Sequence, residues 1–203
     1  MPRAARGFGR ADWTLLAQQA VDFIHAQLWR DGRLLASYKD RQAKLNAYLD
    51  DYAFLLDALL ELLQTEFRPQ DLAFAQNLAD RLLSHFEDPE QGGFFFSSHD
   101  HEQLIHRPKP GQDQATPSGN GVAVLALQRL GHLLGEQRYL TAEERALTLF
   151  YPAMNAQAGA YPTLLLGLKE SLEPPAMVMV RGPVQGFEIW RAALAASGKD
   201  RCC

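Results

Sequence analysis

The stretch YLDDYAFLLDALLELLQTEF, residues 48–67, decides the fold class, because it is a helical pattern that is apolar around most of its circumference. Its polar positions form one narrow stripe, made of Asp50, Asp57, Glu61 and Gln64. A helix of this kind is expected to be buried on nearly all sides. Other helices of the chain must therefore surround it.

Helices with a single apolar face alternate along the chain with helices that are apolar nearly all round. One-faced helices are predicted after Asp12, from Pro69 and, as a short fifth helix, from the capping box Thr141–Glu144. Helices apolar nearly all round are also predicted after Ser118 and from Pro162. The apolar face of the first helix is expected to comprise Trp13, Leu16, Ala17, Ala20, Phe23, Ile24 and Leu28. This alternation is what two concentric layers of helices require.

A weak internal repeat supports the layered arrangement. A turn with short β character precedes each predicted inner helix, at Gly32–Ser37, at Gly93–Ser97 and, in degenerate form, at Gly159–Tyr161. Each unit is then an outer helix, a turn and an inner helix, and three such units are present. We therefore predict an all-α array of three helical hairpins with short β turns.

The predicted array occupies residues 12–173. Residues 1–11 are interpreted as a flexible N-terminal arm. Residues 174–203 are interpreted as a short strand–helix element, which the chain end truncates, with a strand at 176–180 and a helix at 187–196.

Composition excludes several classes of protein. The chain has 203 residues, of which 47% are hydrophobic, and its formal net charge is −4, so it has no basic excess with which to bind nucleic acid. The only cysteines, Cys202 and Cys203, are adjacent, which fits neither a disulfide scaffold nor a structural zinc site. No apolar run has membrane-spanning length and no apolar signal core follows the basic start, so a cytoplasmic protein without membrane association is predicted.

The predicted inner helices offer one location for a functional site. If they run parallel, their N-termini lie on one face, together with the long polar loops that precede them. Helix N-termini carry unpaired N–H groups and the positive end of the helix dipole, which favour carboxylates, anions and hydroxyl groups. The sequence therefore predicts one site, at the N-terminal face of the inner helices.

The aspartates of this face have two interpretations each. Asp50 and Asp51 could supply a general acid or base, but helix capping and first-turn charge are favoured. Asp113 is explained equally well as a catalytic or hydroxyl-binding group and as a turn former. Ser118 is interpreted as a helix cap, because no nucleophile-elbow pattern surrounds it.

The loop before the fourth helix holds further polar candidates. His99 and His101 would lie on the same side of a strand and, with His106, resemble a metal cluster. Surface histidines in a hairpin turn are favoured instead, so we predict no metal and no cofactor. Arg107 and Lys109 could bind an anionic group, although a solvated loop is favoured. The aromatic side chains Phe94, Phe95, Phe96, Tyr48, Tyr52 and Tyr161 could stack on sugar rings, but core packing is favoured for them.

Several of these segments together resemble a known family. They are Tyr48–Phe54, Asp88–Phe96, Leu104–Lys109, Asp113–Asn120 and Pro174–Gly182. They are similar to the C-terminal helical region of the YyaL/spermatogenesis-associated thioredoxin-domain family. The most specific of the segments is DQATPSGN, residues 113–120, in which Gln114 stands where the family pattern has glycine.

The resemblance implies an architecture and a place for the site. The family pairs a thioredoxin-like domain with an (α/α)6 toroid of the six-hairpin type, similar to N-acylglucosamine 2-epimerases and several glycosidases. This chain would then be a partial (α/α)6 toroid, about half a ring, without the thioredoxin-like domain. The residues that the resemblance places around the mouth of the toroid are Asp51, Tyr52, Arg107, Asp113, Ser118 and Asn120.

Two functions of different classes follow. The first is a carbohydrate-binding or carbohydrate-modifying site, either epimerase/isomerase-like or glycoside hydrolase-like, and whether the chain is an enzyme stays open at this point. Its catalytic candidates are Asp51, Asp113 and His101, and its substrate-binding candidates are Tyr52, Arg107, Ser118, Asn120 and Tyr161. The second is a non-catalytic interaction module, or a fragment of a larger thioredoxin-domain-containing protein. The expected partners are a small sugar-like ligand, a second copy of the chain or a thioredoxin-like domain, because half a ring leaves inner helices with exposed apolar flanks.

Overall fold

The computed structural model describes residues 8–101 and 106–174, together with the single positions 4, 176, 178, 182 and 190. Its helices are α1 (Ala11–Gln27), α2 (Leu49–Thr65), α3 (Pro69–His85), α4 (Gly119–Leu134), α5 (Gln137–Ala156) and α6 (Pro162–Leu172). Its strands are β1 (Trp29–Arg30), β2 (Arg33–Lys39) and β3 (Gln42–Asn46), and a 3-10 turn spans Ala158–Ala160. The predicted strand at 176–180 and the predicted helix at 187–196 lie outside the continuously described residues.

Helices α2, α4 and α6 form an inner row in which α4 packs between the other two. Twelve of the 16 residues of α4 are buried, so this helix is the centre of the core. In α2, the side chains of Leu49, Tyr52, Leu56 and Leu59 are fully buried. The prediction of two layers is therefore confirmed for α2 and α4, with α1, α3 and α5 outside them.

Helix α6 departs from the prediction that it is buried on nearly all sides. Only Leu164 and Gly167 are buried, and Leu172 at its end is 74% exposed. Among the described residues, only α4, α5 and the 3-10 turn pack substantially against it. The prediction was wrong because α6 is the last inner helix within residues 8–174, and no other described helix covers its apolar pattern on that side.

The inward face of α1 also differs from the predicted one. Its buried side chains are Thr14, Gln18 and Val21, whereas Leu16 is 52% exposed. The Gln18 amide donates a 3.0 Å hydrogen bond to Glu66 Oε2, just beyond the end of α2. This polar contact favours a rotation of α1 that the apolar spacing does not predict.

Helix α5 is longer than the short helix predicted from the capping box. It begins four residues before Thr141, which is exposed inside the helix, and it continues through Pro152. The first turn is held against α3, because the buried Tyr139 donates a 2.6 Å hydrogen bond from its hydroxyl to Asp80 Oδ1. The capping-box prediction is therefore wrong, and a tertiary contact determines where the helix begins.

The turns between outer and inner helices share one anchoring contact, which gives the sequence repeat a structural meaning. In the first unit, a three-stranded antiparallel sheet in the order β1-β2-β3 is tied to α2 by the Leu34 N–H, which donates to the Tyr52 hydroxyl at 2.8 Å. In the second unit, the Phe94 N–H donates to Asn120 Oδ1 on α4 at 2.8 Å. The β structure of the first unit is thus more extensive than predicted. In the second unit it is a single Glu87–Phe94 bridge, and in the third the 3-10 turn replaces it.

Among the described residues, no helix combines the length and the apolar composition that crossing a lipid bilayer requires.

Candidate functional site

The N-termini of the three inner helices lie together on one face of the molecule. A side chain at Gly119, the first residue of α4, would collide with Asp50 Oδ1 in the first turn of α2. A Cβ atom at Gly121 would lie 2.9 Å from Thr163 Cβ in the first turn of α6. The start of α4 therefore lies between the starts of α2 and α6. This confirms the predicted common face, which we call the N-terminal face.

Asp113 joins two of these helix starts. Its Oδ1 accepts a 2.8 Å hydrogen bond from the Ser118 N–H before α4, and its Oδ2 accepts from the Thr163 N–H and hydroxyl of α6 at 2.8 and 2.6 Å. Burial alone would raise the pKa of Asp113, but the bonds from Thr163 and Ser118 outweigh it and lower that pKa. Asp113 is thus an ionised clamp between α4 and α6, and its catalytic role stays a prediction.

Replacement of Asp113 by asparagine is expected to lower the free energy of unfolding by about 1–2 kcal/mol, because the amide nitrogen cannot accept from a backbone N–H. The measurement is urea-induced unfolding at pH 7. Asp12→Asn in the first turn of α1 is the matched control, since that carboxylate is exposed and forms a surface ion pair with Arg10. An equal change in both variants would show that the clamp contributes nothing beyond first-turn charge.

Tyr48, the residue before α2, brings Asp51 and His101 together. The Tyr48 N–H donates a 2.8 Å hydrogen bond to Asp51 Oδ2, within a capping box. The Tyr48 ring stacks on Phe96 with a centroid separation of 4.8 Å and on His101 with one of 5.4 Å. His101 Nδ1 is shielded from water and has no hydrogen-bond partner among the described residues. Asp51 therefore performs the capping role that the sequence favoured, and His101 contacts the same residue, Tyr48, through its ring.

Asp50 was weighed with Asp51 as a possible general acid or base, but it was left out of the catalytic candidates because capping was favoured for it. Its Oδ1 is shielded from water and accepts no hydrogen bond from the described residues. The pKa of Asp50 is raised by burial and then by the neighbouring charge of Asp51. Gly119 on α4, about 70 residues away in sequence, lies directly against this carboxylate, where any larger residue would collide with Oδ1.

Four of the predicted substrate-binding residues lie beneath the N-terminal face, where they hold its backbone. Tyr52 and Asn120 are fully buried, and the Asn120 side chain makes hydrogen bonds to Phe94 and to the Pro110 carbonyl. Ser118 Oγ accepts from the Gly121 N–H as the cap of α4, as predicted. The Tyr161 ring is 8% exposed, and its hydroxyl accepts a 3.3 Å bond from Gln112. The structure therefore does not bring these side chains together with Asp50 and Asp51 on an open surface.

Arg107 and Lys109 tie their loop to the second unit. Arg107 donates to the Ser97 carbonyl at 2.6 Å, and its guanidinium lies 4.1 Å from the Phe95 ring centroid. Lys109 Nζ pairs with Asp88 Oδ2 at 2.8 Å. The preferred interpretation of a solvated loop is wrong for both residues, because each has partners that hold it in place. The aromatic run is core at the buried Phe94, as predicted.

The histidines are arranged differently from the predicted cluster. His99 lies beside His85 and Asp100, with ligand atoms within 4.8 Å of one another, whereas His101 stacks on Tyr48. The guanidinium of Arg33 on β2 donates to both oxygens of Asp100 and lowers the pKa of that carboxyl. A cation would have to compete with this arginine for Asp100. The expectation of no metal and no cofactor stays a prediction.

The chain has relatives among curated proteins, although no profile of a known protein family matches it. It is 30% identical over 139 residues to spermatogenesis-associated protein 20 of Mus musculus and of Homo sapiens, a match covering 68% of this chain and 18% of each relative. It is 26% identical over 160 residues to an uncharacterized protein of Caenorhabditis elegans, covering 75% of this chain and 22% of that protein. The chain thus matches about a fifth of the length of these relatives.

The fold has a counterpart among solved structures. The cellobiose 2-epimerase of Spirochaeta thermophila DSM 6192 superposes with a TM-score of 0.66 at 18% sequence identity, over 97% of this chain and 57% of that chain. At this identity the likeness concerns the fold. It confirms the helical toroid that the sequence resemblance implied, and the homology confirms the resemblance itself. The chain is therefore homologous to a part of spermatogenesis-associated protein 20, and it has the helical-toroid fold that the epimerase structure shares.

Proposed function

We propose that the N-terminal face binds a sugar-like ligand and that its chemistry is of the epimerase/isomerase type. The observation that carries the proposal is Asp50, whose buried Oδ1 has no partner among the described residues and whose pKa is raised. A buried polar atom without a hydrogen bond is costly, and a ligand hydroxyl would satisfy it. The shared fold with a sugar epimerase supports this choice of ligand class.

The proposal assigns different tasks to the residues of the face. Epimerisation next to a carbonyl needs one group to remove a proton from carbon and another to return it on the opposite side. Asp51 and His101, which both contact Tyr48, are the proposed pair. Asp50 would accept a sugar hydroxyl, and Asp113 would keep α4 and α6 in register, with any direct catalytic part of Asp113 secondary to that.

Incubation with cellobiose or N-acetylglucosamine in D2O tests the proposal. Proton removal at C2 replaces that hydrogen by deuterium, so the C2 proton signal of the sugar is expected to decay in the presence of the protein. Asp51→Asn and His101→Asn are expected to slow the decay at least a hundredfold, which is the lower end of the range for general acid–base catalysis, about 10²–10⁴-fold. Asp50→Asn is expected to weaken sugar binding in saturation-transfer NMR. Asp12→Asn is the control and should change neither signal.

The outcomes separate catalysis from binding. Binding without exchange would contradict the epimerase assignment and leave a carbohydrate-binding module. Neither binding nor exchange would remove the sugar site altogether. Exchange that persists in both Asp51→Asn and His101→Asn would show that other groups carry the proton.

The alternative is a non-catalytic interaction module. It is favoured by the exposed apolar flank of α6, where Leu166 is 44% exposed and Leu172 is 74% exposed. We propose a second copy of the chain as the occupant of this flank, and a thioredoxin-like domain as the competing one. Sedimentation velocity decides between them, because self-association raises the mass with concentration whereas docking to another domain leaves the chain monomeric.

A further inference from the structure

A cavity of about 380 Å³ lies outside the N-terminal face and shares no residue with the candidate site. One side of α3 forms its floor, the β1–β2 turn forms one wall and the start of α5 forms the other. Its lining residues are Trp29, Gly32, Asn77, Asp80, Arg81, Ser84 and Arg138. The lining is thus mostly polar and holds two guanidinium groups.

Arg81 is the central cation of this cavity. Its Nη2 atom packs against Gly32, where a side chain would collide with it, and Gly32 has a φ of +72°, in the left-handed region that glycine tolerates. The positive φ favours glycine at this position, and the guanidinium of Arg81 occupies the space that a larger side chain would need. None of the ion pairs within residues 8–101 and 106–174 includes Arg81.

The one carboxylate of the lining is already engaged. Asp80 Oδ1 accepts a hydrogen bond from the Tyr139 hydroxyl at 2.6 Å and lies 2.9 Å from Arg138 Nη2. Arg138 also pairs with Glu136, whose Oε2 lies 3.4 Å from Arg138 Nε, so both nearby carboxylates are paired with Arg138. The formal charges of Arg81, Arg138, Asp80 and Glu136 balance, and Arg81 is the guanidinium of this group that no ion pair within residues 8–101 and 106–174 includes.

Burial and the positive charges near the cavity lower the pKa of a neighbouring histidine, His85. His85 follows Ser84 at the end of α3, and its Nδ1 lies 2.7 Å from the Ser84 hydroxyl oxygen. Burial lowers the pKa of His85, and the charges of Arg33 and Arg81 lower it further, against the opposing effect of Asp100. The field at this end of α3 therefore disfavours an additional cation and favours an anion.

We infer that this cavity binds the phosphate group of a small molecule, with Arg81 as its principal ligand. A guanidinium matches a phosphate with two parallel hydrogen bonds, and such charge-assisted pairs are the strongest that side chains form. Asn77 and Ser84 add neutral donors on the same side of α3. The site is separate from the proposed sugar site, so either can fail without the other.

Titration with inorganic phosphate at constant ionic strength tests this inference, by isothermal calorimetry and by ³¹P NMR line broadening. The wild-type chain is expected to bind one phosphate saturably. Arg81→Gln is expected to weaken binding by about tenfold or more. Ser84→Glu keeps the arginine but places a competing carboxylate three residues away on α3, and it should weaken binding similarly.

Lys169→Gln is the control, because it removes one positive charge from the exposed surface of α6 and should leave phosphate affinity unchanged. Circular dichroism confirms that each variant is folded before titration. Saturable binding that is lost in Arg81→Gln and Ser84→Glu but kept in Lys169→Gln supports the site. Non-saturable binding to the wild type, or equal loss in the Lys169 variant, would overturn it in favour of diffuse charge attraction.

Discussion

Replacement of Arg129 by methionine is expected to lower the free energy of unfolding by about 3–5 kcal/mol, the range for a buried ion pair that loses one partner. The guanidinium of Arg129 on α4 connects all three inner helices. Its Nη1 lies 3.3 Å from Asp57 Oδ1 and 3.7 Å from Glu61 Oε1 on α2, and its Nη2 lies 3.0 Å from Glu170 Oε1 on α6. Removing it leaves three carboxylates of like charge close together.

The burial of this cluster makes the expected loss large. The side chains of Arg129 and Glu61 are 11% and 4% exposed, so water cannot replace the lost partner as it does at the surface. Urea-induced unfolding at pH 7 measures the change.

Arg138→Met is the matched control. Arg138 also pairs with a carboxylate, Asp80, but its side chain is 50% exposed, so we expect a loss of at most about 1 kcal/mol. A similar small loss in both variants would mean that apolar packing alone holds α2, α4 and α6 in their row.

The layered fold was predictable because apolar spacing along a helix directly reports burial. The all-round apolar pattern of residues 48–67 correctly gave a central helix, and the one-faced pattern from Pro69 gave an outer one. The errors arise where a single polar or tertiary contact determines the rotation or the first residue of a helix. Gln18 rotates α1, and Tyr139 extends the start of α5, and neither contact has a signature in local spacing.

The location of the candidate site was predictable for a different reason. Parallel inner helices must present their N-termini on one side, and Asp51 and Asp113 lie at the starts of these helices, while the assignment of Asp51, Asp113 and His101 to a catalytic site stays a prediction. What each side chain does there depends on partners far away in sequence. The isolation of Asp50 depends on Gly119, and that pairing of α2 with α4 is invisible in either segment alone.

The substitution Glu143→Gln is expected to stabilise the protein by about 3 kcal/mol at pH 8, because Glu143 is a buried acid that ionises in the folded state at a cost. The side chain of Glu143 on α5 lies between the other helices and is 4% exposed as a residue. Burial raises its pKa from an ordinary value of 4.5 to about 7. A weak 3.5 Å hydrogen bond from the Ser171 hydroxyl opposes this increase, and the charge of Glu144 adds slightly to it. The buried Gln128 amide of α4 faces Glu143 and lowers that pKa slightly.

The direction of the pH effect follows from the raised pKa. The folded state keeps the proton of Glu143 between pH 4.5 and about 7, whereas the unfolded chain releases it. The contribution of Glu143 is therefore fully favourable below pH 4.5 and is lost as the pH rises through about 7. The pKa of His85 is lowered, which gives the opposite dependence of stability on pH, so the wild type and the variant must be compared at each pH.

Urea-induced unfolding at pH 5 and pH 8 measures this difference. The gain of Glu143→Gln over the wild type should be small at pH 5 and should reach its full value at pH 8. Glu144→Gln, at the exposed neighbouring position, should leave the wild-type dependence unchanged. A gain that is equal at both pH values would show that the carboxyl reaches water, and the contact between α5 and α6 around Ser171 would then be looser than its burial implies. A gain confined to high pH would instead show that α4, α5 and α6 enclose Glu143 as a protonated acid. The contact of α6 with α5 would then contribute more to the stability of α6 than its exposed flank does.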